Sequence, residues 1–351
     1  MMRKIIKRGL VGAVLLTSLT ANQIVHAHYD RAYWHEEETT TPYIEQYVDW
    51  MITLADYRRL SELSIPGTHD TMAYGQLPVS SIVQTQTMSL EQQLQSGIRY
   101  LDIRLAHRGD HFQLHHGSVD LGVSFEVVLD TIAGFLQEYP SETILMRIKQ
   151  EHTSESDGRM MALFNDYYAK YQDLFWKSEY SATPSNPSLA ELRGKIVILS
   201  DVYSIRQGMS YRDIHKQDEY HLSTNWDLYG KWERIREHLE TTNRGDPDSL
   251  YMNYLSGSGG VFPYFVASGH SSSDTYGSRL STGLTEPGFK NYYPDFPRTA
   301  RVGVFATIAF EGTNTLTADY LSKGGMSRAG IVVADFPGER LIDEIIQCNY
   351  R

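Results

Sequence analysis

Cysteine is almost absent from this chain of 351 residues. The single cysteine, Cys348, lies three residues from the C-terminus. One cysteine excludes an internal disulfide, and no Cys–His spacing typical of a zinc site occurs. We interpret Cys348 as a packing residue without a catalytic role. The hydrophobic core must therefore hold the fold together, and a hydrophobic content of 41% is ample for this.

Positive charge is also scarce. The 32 Lys and Arg residues are outnumbered by 43 Asp and Glu residues, which gives a formal net charge of −11. This balance excludes nucleic acid as a partner, because binding to phosphates requires an excess of basic side chains. It also predicts no long-range attraction to anionic lipid surfaces.

Long hydrophobic runs are limited to the N-terminus, where an apolar run from Leu10 to Leu16 follows four basic residues. Residues 1–27 end in a small-x-small pattern at Val25–Ala27, which predicts a secretory signal peptide and a secreted, extracellular protein. Its removal would change the net charge from −11 to −15. An uncleaved membrane anchor is the alternative. We expect residues 28–42 to be a flexible lead-in and residues 43–351 to form one catalytic domain.

Strand-like and helix-like segments alternate along the chain, and neither an internal repeat nor a long linker interrupts them. This order predicts an α/β protein with a parallel sheet, and about eight strands favour a single irregular (β/α) barrel of the TIM type. Residues 301–310 could instead be an insertion. The strand candidates are a first strand ending at Ile65 and broken by Pro66–Gly67, then residues 98–107, 111–117, 143–151, 195–203, 250–257, 301–310 and 329–337. The helix candidates are residues 89–97, 124–140, 186–194 and 232–242.

Charged and imidazole side chains collect at the C-terminal ends of these strands, where barrels carry their active sites. They are His69 and Asp70 after the first strand, Arg104, His116, Lys149 and Asp335. An isolated His–Asp pair is more often a solvated helix cap, and Asp102 with Arg104 could form a lumenal ion pair. Neither interpretation explains two histidines at strand ends.

Two imidazoles can divide the roles of general base and general acid near neutral pH. A carboxylate beside each imidazole would set its tautomer, and an arginine between them suits a phosphate. The predicted chemistry is attack on a phosphodiester by a neighbouring hydroxyl, with one histidine taking a proton and the other giving one.

The motifs that carry these residues, "SIPGTHD", "RYLDIRL", "LHHG", "PSETILMRIKQE" and "GIVVADF", resemble the bacterial phosphatidylinositol-specific phospholipase C family. This family is similar in its catalytic barrel to the X region of eukaryotic phosphoinositide phospholipases C. The resemblance runs from about residue 45 to the end. It implies cleavage of phosphatidylinositol, free or in glycosyl-phosphatidylinositol anchors, to diacylglycerol and inositol 1,2-cyclic phosphate, without a cofactor.

The resemblance also implies a role for each catalytic residue. His69 would take the proton from the inositol 2-hydroxyl, and Asp335 would orient it. His116 would protonate the diacylglycerol oxygen with support from Asp70. Arg104 would hold the phosphate at a position where calcium-dependent relatives have an acidic ligand, so no metal is expected.

Further positions resemble inositol contacts of the family. Lys149 matches a sugar-contacting lysine. Asp227 and Tyr229 in "NWDLYGK" resemble a carboxylate and a stacking tyrosine, although a helix cap and a packing tyrosine are the alternative. Asp201 lies where some relatives have an inositol-binding arginine, and its carboxylate could accept sugar hydroxyl bonds.

The segment "SGSGGVFPYFVASG" at residues 256–269 suggests a flexible loop. Its aromatic residues Phe262, Tyr264 and Phe265 could insert into a lipid surface as a membrane rim. Equally, they could belong to the core. The expected partner is a phosphatidylinositol-containing surface, contacted briefly by a monomer.

Two other functions remain open at this point. "LAHRGD" at residues 105–110 resembles a motif of metal-dependent glycerophosphodiester phosphodiesterases, although no further acidic segment follows it. A lipid-binding barrel without catalytic activity is the other alternative, and the complete set of acid–base residues argues against it.

Overall fold

A computed structural model of the chain describes residues 31–34, 47–75, 77, 80–271, 280–285, 293–303 and 305–351. The strands are β1 (Ile65–Thr68), β2 (Tyr100–His107), β3 (Phe112–His116), β4 (Val119–Ser124), β5 (Thr143–Gln150), β6 (Lys195–Ser200), β7 (Met209–Ser210), β8 (His215–Gln217), β9 (His221–Leu222), β10 (Tyr251–Tyr254), β11 (Ser258–Gly259), β12 (Ser281–Thr285), β13 (Arg298–Val302), β14 (Phe305–Ala309) and β15 (Ile331–Ala334). The α-helices are α1 (Ser80–Val83), α2 (Leu90–Gln95), α3 (Phe125–Glu138), α4 (Asp157–Lys170), α5 (Leu189–Leu192), α6 (Asp227–Arg244), α7 (Pro263–Ser268), α8 (Thr313–Ser322) and α9 (Glu339–Gln347).

Eight parallel strands form the central sheet, in the order β7-β6-β5-β2-β1-β15-β10-β8. Its interior strands are almost wholly buried, as expected when helices cover a parallel sheet. Within the described residues no ladder joins β7 to β8, so the curled sheet is open at that point. The prediction of an irregular TIM-type barrel is confirmed.

Side chains bridge the break in the barrel. The guanidinium of Arg147 lies 4.1 Å from the centre of the Tyr211 ring, and the Lys216 ammonium lies 4.5 Å from the same centre. Lys216 also donates to the backbone oxygens of Tyr211 and Ile214, at 2.7 and 2.8 Å. Cation–π contacts and charge-assisted hydrogen bonds therefore take the place of a strand ladder here.

Two predicted strands lie outside the barrel, and two barrel strands escaped prediction. Residues 112–116 extend β2 as an antiparallel hairpin with β4. Residues 301–310 contribute to a separate antiparallel sheet with the order β12-β14-β13, which is the insertion that we left open. The missed strands β7 and β8 have only two and three residues, too few to show a period of two.

The first barrel strand does not end at Ile65 as predicted. β1 continues through Pro66 and Gly67 to Thr68, because it pairs with β15 and β2 on its two sides. Gly67 is required by packing, since a Cβ atom there would lie 2.7 Å from the Cβ atom of Tyr100. The proline–glycine pair thus permits close strand packing instead of breaking the strand.

The prediction of a flexible lead-in over residues 28–42 is wrong for residues 31–34. Ala32, Tyr33 and Trp34 are buried, and Tyr33 forms an antiparallel bridge with Pro337. The Trp34 amide donates to the Phe336 oxygen at 3.0 Å. Apolar side chains in an otherwise acidic stretch explain this anchoring. The predicted signal peptide over residues 1–27 lies outside the described residues. Among the helices that are described, none is both long and apolar enough to cross a bilayer.

A fully buried ion pair joins the segments that precede β2 and β5. Arg99 Nε lies 2.8 Å from Glu142 Oε2, and both side chains are inaccessible to solvent. Arg99 also donates to the Leu94 and Ile98 oxygens, each at 2.8 Å. Glu142 accepts the Met51 amide at 3.1 Å. The pair therefore organises the end of the barrel opposite to the strand C-termini.

We expect Glu142→Leu to lower the free energy of unfolding by about 3–5 kcal/mol, because it leaves the Arg99 charge buried without its partner. Denaturant unfolding followed by circular dichroism measures this loss. The double variant Arg99→Met/Glu142→Leu removes both charges and should lose less than the single variant. Equal or greater loss in the double variant would contradict a coupled pair.

Candidate active site

A cavity of about 750 Å³ opens at the C-terminal ends of the barrel strands. Thr68 and Ala334, the last residues of β1 and β15, are level with each other, so His69 and Asp335 follow side by side. In the same way Arg104 of β2 is level with Lys149 of β5. The residues that line the cavity are His69, Ile82, Thr85, Arg104, His116, Arg147, Lys149, Asp218, Tyr220, Tyr254, 256–263 and Asp335.

His69 has both ring nitrogens engaged. Its Nδ1 lies 2.8 Å from Asp335 Oδ1, and its Nε2 lies 2.6 Å from Arg104 Nη2. A guanidinium can only donate, so Nε2 must accept and the ring proton must be on Nδ1, directed at Asp335. This tautomer leaves a basic nitrogen facing the cavity, as a proton acceptor requires.

His116 stands on the other side of Arg104 with its own carboxylate. Its Nδ1 lies 2.9 Å from Asp70 Oδ2. Burial lowers the pKa of His116, but the Asp70 carboxylate outweighs burial and the pKa is raised overall. A raised pKa increases the protonated fraction near neutral pH, which suits a proton donor.

The Asp70 backbone is strained, with a φ of 39° in the left-handed region. Aspartate is one of the few non-glycine residues that adopt this region readily. The conformation is held by the Asp70 amide, which donates to Asp102 Oδ2 at 3.2 Å, and by Thr85 Oγ1, which donates to the Asp70 oxygen at 3.0 Å. The turn directs His69 and Asp70 to opposite sides of Arg104.

Arg104 is surrounded by three carboxylates. Its guanidinium lies 3.1 Å from Asp102, 3.4 Å from Asp70 and 3.3 Å from Glu151. Burial alone would lower the pKa of Arg104, but these carboxylates raise it, so the charge is permanent. Burial alone would raise the pKa of the Asp102 carboxyl. The neighbouring cations Arg104 and Arg147 outweigh burial and hold this pKa well below its usual range.

Two more cations border the cavity. Lys149 forms an ion pair with Glu151 at 2.9 Å, and about a third of its side chain remains exposed. Arg147 contacts Asp102 at 3.2 Å. Arg147 lies two residues before Lys149 in β5, and the sequence alone suggested no role for it, because its partner Asp201 follows a different strand.

Three predicted sugar contacts do not line the cavity. Asp201 is held in an ion pair with Arg147 at 2.6 Å. Asp227 is the first residue of α6 and accepts the Thr224 amide at 2.9 Å, so it stabilises the turn that precedes the helix, whose N-cap residue is Trp226. Tyr229 is buried, and its ring packs edge-on against Phe296 at 5.2 Å. The match of "NWDLYGK" to inositol contacts is therefore wrong in position.

Sequence reasoning missed Asp218 and Tyr220, which line the cavity just after β8. They have the same spacing as Asp227 and Tyr229, a carboxylate followed two residues later by a tyrosine. The missed signal was "KQDEY", which follows a strand too short to recognise. The structure thus places an Asp-x-Tyr pair in the cavity, nine residues earlier in the chain than expected.

Of the three residues predicted as a membrane rim, only Phe262 lines the cavity. It is 43% exposed, beside the exposed residues Ile82 and Tyr220. Phe265 is buried and packs against Phe310 at a ring distance of 5.4 Å. Tyr264 packs edge-on against Phe336 at 5.2 Å.

The segment that carries Phe262 forms one packed side of the cavity and is not a flexible loop. β11 pairs with β9, and a Cβ atom on Gly260 would lie 2.0 Å from the Ser223 oxygen. The glycines therefore permit close approach of two backbones beside the cavity.

The neighbouring histidine, His115, lies on the opposite face of β3 from His116 and does not line the cavity. It is buried and stacks on His152 at 4.6 Å. Arg108 of the "HRG" motif lies 3.0 Å from His115 Nε2, on the outer side of the hairpin. In the part of the chain that the structure describes, no three His, Cys, Asp or Glu side chains are placed to hold a metal ion.

Comparisons with known proteins show the family of this chain. Residues 58–201 match the family model "Phosphatidylinositol-specific phospholipase C, X domain". The chain is 37% identical over 224 residues to a 1-phosphatidylinositol phosphodiesterase of Listeria monocytogenes, covering 59% of this chain and 67% of the relative. It is 31% identical over 241 residues to the enzyme of the same name from Staphylococcus aureus, covering 59% and 74%. This chain belongs to the phosphatidylinositol-specific phospholipase C family.

The likeness to this phospholipase C family extends over most of the fold. The solved structure of the Listeria monocytogenes phosphatidylinositol-specific phospholipase C has a TM-score of 0.62 and 27% identity, and the match covers 86% of this chain and 98% of that one. The family model itself ends at residue 201. Asp218, Tyr220 and Asp335 lie beyond that boundary, and the fold brings them to the same cavity.

The Asp70 carboxylate raises the pKa of His116, so Asp70→Asn should lower it. With the carboxylate gone, burial is the main remaining influence and disfavours the imidazolium. Titration of the histidine ring signals by NMR measures the shift. An unchanged pKa of His116 would contradict the pairing.

Proposed function

We propose that the protein cleaves phosphatidylinositol to diacylglycerol and inositol 1,2-cyclic phosphate by acid–base catalysis. One observation carries the proposal: two histidines, each with its own carboxylate, stand on either side of a permanently charged arginine in one cavity. The family membership and the names of the relatives support the same reaction.

In the first step His69 Nε2 takes the proton of the inositol 2-hydroxyl, whose oxygen attacks the phosphorus. Asp335 stabilises the imidazolium that forms, because it already accepts from Nδ1. The nucleophile belongs to the substrate, and such an internal hydroxyl contributes several kcal/mol through its high effective concentration. His69 must exchange its contact with Arg104 for the hydroxyl when substrate binds.

The second role belongs to His116, which gives a proton to the diacylglycerol oxygen as the phosphorus–oxygen bond breaks. Arg104 binds the phosphate oxygens between the two histidines and stabilises charge that develops in the transition state. Water can then open the cyclic phosphate with the two histidines in exchanged roles.

The inositol ring would occupy the side of the cavity formed by β5 and β8. Asp218 supplies a carboxylate for the ring hydroxyls, and Tyr220 supplies an aromatic face. Lys149 and Arg147 complete that side, and Asp201 holds Arg147 from outside the cavity lining. We therefore assign to Asp218 and Tyr220 the roles first expected of Asp227 and Tyr229.

We propose that the reaction needs no metal or cofactor. Arg104 already supplies the positive charge at the phosphate position and is held there by three carboxylates. A divalent cation beside this guanidinium would be repelled.

Contact with the lipid surface is assigned to Ile82, Tyr220 and Phe262 at the mouth of the cavity. Their apolar side chains can enter the interface, while the acidic protein as a whole is not attracted to it. We propose brief binding as a monomer. We further propose secretion directed by residues 1–27, with a catalytic unit over residues 43–351 to which residues 31–34 also belong.

His69→Ala and His116→Ala should each lower the turnover of phosphatidylinositol at least about a hundredfold, the usual contribution of a positioned acid or base. His111→Ala, at an exposed turn, is the matched control and should keep full activity. Release of water-soluble phosphate from mixed micelles measures turnover. Near-normal turnover in either test variant would remove that residue from the mechanism.

Phosphatidylcholine and 2-O-methyl phosphatidylinositol should be essentially inert, because neither has the free 2-hydroxyl that attacks. Phosphorus NMR of mixed micelles should show the cyclic phosphate from phosphatidylinositol, with and without EDTA. Equal rates on phosphatidylcholine would exclude the cyclising mechanism. Reversible loss of activity with EDTA would instead favour a metal-dependent phosphodiesterase.

A further inference from the structure

A lysine is buried behind the cavity, where the proposed mechanism gives it no part. Lys231 lies in the first turns of α6 and is 2% exposed. Buried lysines are rare, because removing an ammonium from water costs several kcal/mol unless other groups compensate. A buried lysine that lowers stability and has no evident structural role is a candidate for a functional role.

The partner of Lys231 is Gln217, the last residue of β8. Lys231 Nζ lies 3.3 Å from Gln217 Oε1, and the same oxygen accepts the Glu219 amide at 2.7 Å. Gln217 Nε2 donates to Asn253 Oδ1 at 2.8 Å and to the Tyr254 oxygen at 2.9 Å. Gln217 is thus held by four hydrogen bonds at the point where the chain leaves the barrel.

The segment that follows Gln217 carries the two residues missed from the sequence. Asp218 and Tyr220 come next along the chain and line the cavity. Because Gln217 Oε1 bonds the Glu219 amide, its orientation sets the direction of the backbone between them. Lys231 donates to the same Gln217 oxygen, so the position of Lys231 affects the placement of Asp218 and Tyr220.

Charge links Lys231 to the cavity as well. Burial lowers the pKa of Lys231 to about 7, and attraction to Asp218, then to Asp335 and Glu219, opposes that shift. Desolvation raises the pKa of Asp218, and Lys231 is the strongest influence that opposes it. The ammonium therefore favours the ionised form of the carboxylate that faces the substrate.

We propose that Lys231 is a positioning residue for substrate binding: its buried ammonium, through Gln217 and Asp218, holds the segment 217–220 in the geometry that binds the inositol ring. This inference rests on the proposed function. It differs from a purely structural role, because it predicts that loss of the ammonium weakens inositol binding without lowering stability.

The test compares Lys231→Met with the wild-type protein at about pH 6, where the ammonium is protonated. Calorimetry measures the binding of myo-inositol without turnover. Micelle assays give kcat and KM for phosphatidylinositol, and a thermal scan gives Tm. Lys231→Arg is the conservative variant. Lys323→Met is the matched control, since it removes one exposed lysine charge next to α8.

We expect Lys231→Met to weaken myo-inositol binding about tenfold and to raise KM similarly, as for residues coupled in one network. We expect kcat to change less than about twofold and Tm to stay level or rise, because a buried charge is replaced by a side chain of similar volume. Lys231→Arg should recover most of the binding. In an Asp218→Asn background, Lys231→Met should have little further effect.

Several outcomes would overturn the proposal. One is unchanged inositol binding in Lys231→Met. Another is that Lys231→Met lowers Tm, inositol binding and kcat together, and that these losses add to those of Asp218→Asn. That result would mean that Lys231 has a purely structural role. A third is a loss in kcat alone that disappears in an Asp335→Asn background. That result would mean that Lys231 acts on His69 through Asp335 and not on the inositol side of the cavity. The proposed function fails separately, if the wild-type protein does not cleave phosphatidylinositol.

Discussion

The charge of Arg104 is the constraint on which the site depends. Its guanidinium contacts carboxylates from the β1 exit, from β2 and from the β5 exit, and it also donates to His69. A cation with so many partners has no freedom to move away from its place between the two histidines. Attraction to Arg104 outweighs burial and lowers the pKa of the Asp102 and Glu151 carboxyls, so both stay ionised. Position and protonation state are therefore set by one network.

The barrel reduces the conformational entropy that the side chains of this network lose when substrate binds. Parallel strands in register bring His69, Arg104 and Asp335 to one end of the sheet, each held by its own strand. Rigid strands restrict these side chains before substrate binds, so less entropy is lost on binding. The opposite end of the barrel carries Arg99 and Glu142, a pair with only structural contacts. Chemistry and stability are thus separated along the strand direction.

The break in the barrel between β7 and β8 shapes the substrate side of the cavity. A closed ladder would direct the chain after β8 along the sheet. Here the chain leaves after three residues of strand, and Asp218 and Tyr220 turn into the cavity. Side chains from Arg147, Tyr211 and Lys216 seal the gap. An irregularity in the sheet therefore provides the space and the groups that a ring with several hydroxyls requires.

Much of the catalytic centre was predictable from the sequence, because strands of five to eight residues show a period of two. By that period His115 and His116 lie on opposite faces of β3, and Arg104 shares one face of β2 with Asp102. The carboxylate partners of the two histidines were predictable as well, because they also lie at strand ends. The lead-in was misjudged because buried Tyr33 and Trp34 are too few to form a pattern.

What the sequence by itself determined is the set of long strands and the acid–base residues at their ends. Only the tertiary structure decided which of two Asp-x-Tyr pairs enters the cavity. Asp218 with Tyr220 and Asp227 with Tyr229 have the same spacing, so local pattern cannot distinguish them. The first pair follows a strand of three residues that exists only because β10 pairs with it. The second pair begins a helix whose aromatic face packs into the core. A short strand is stabilised by its neighbours and not by its own sequence, and that is why the distinction had to come from the fold.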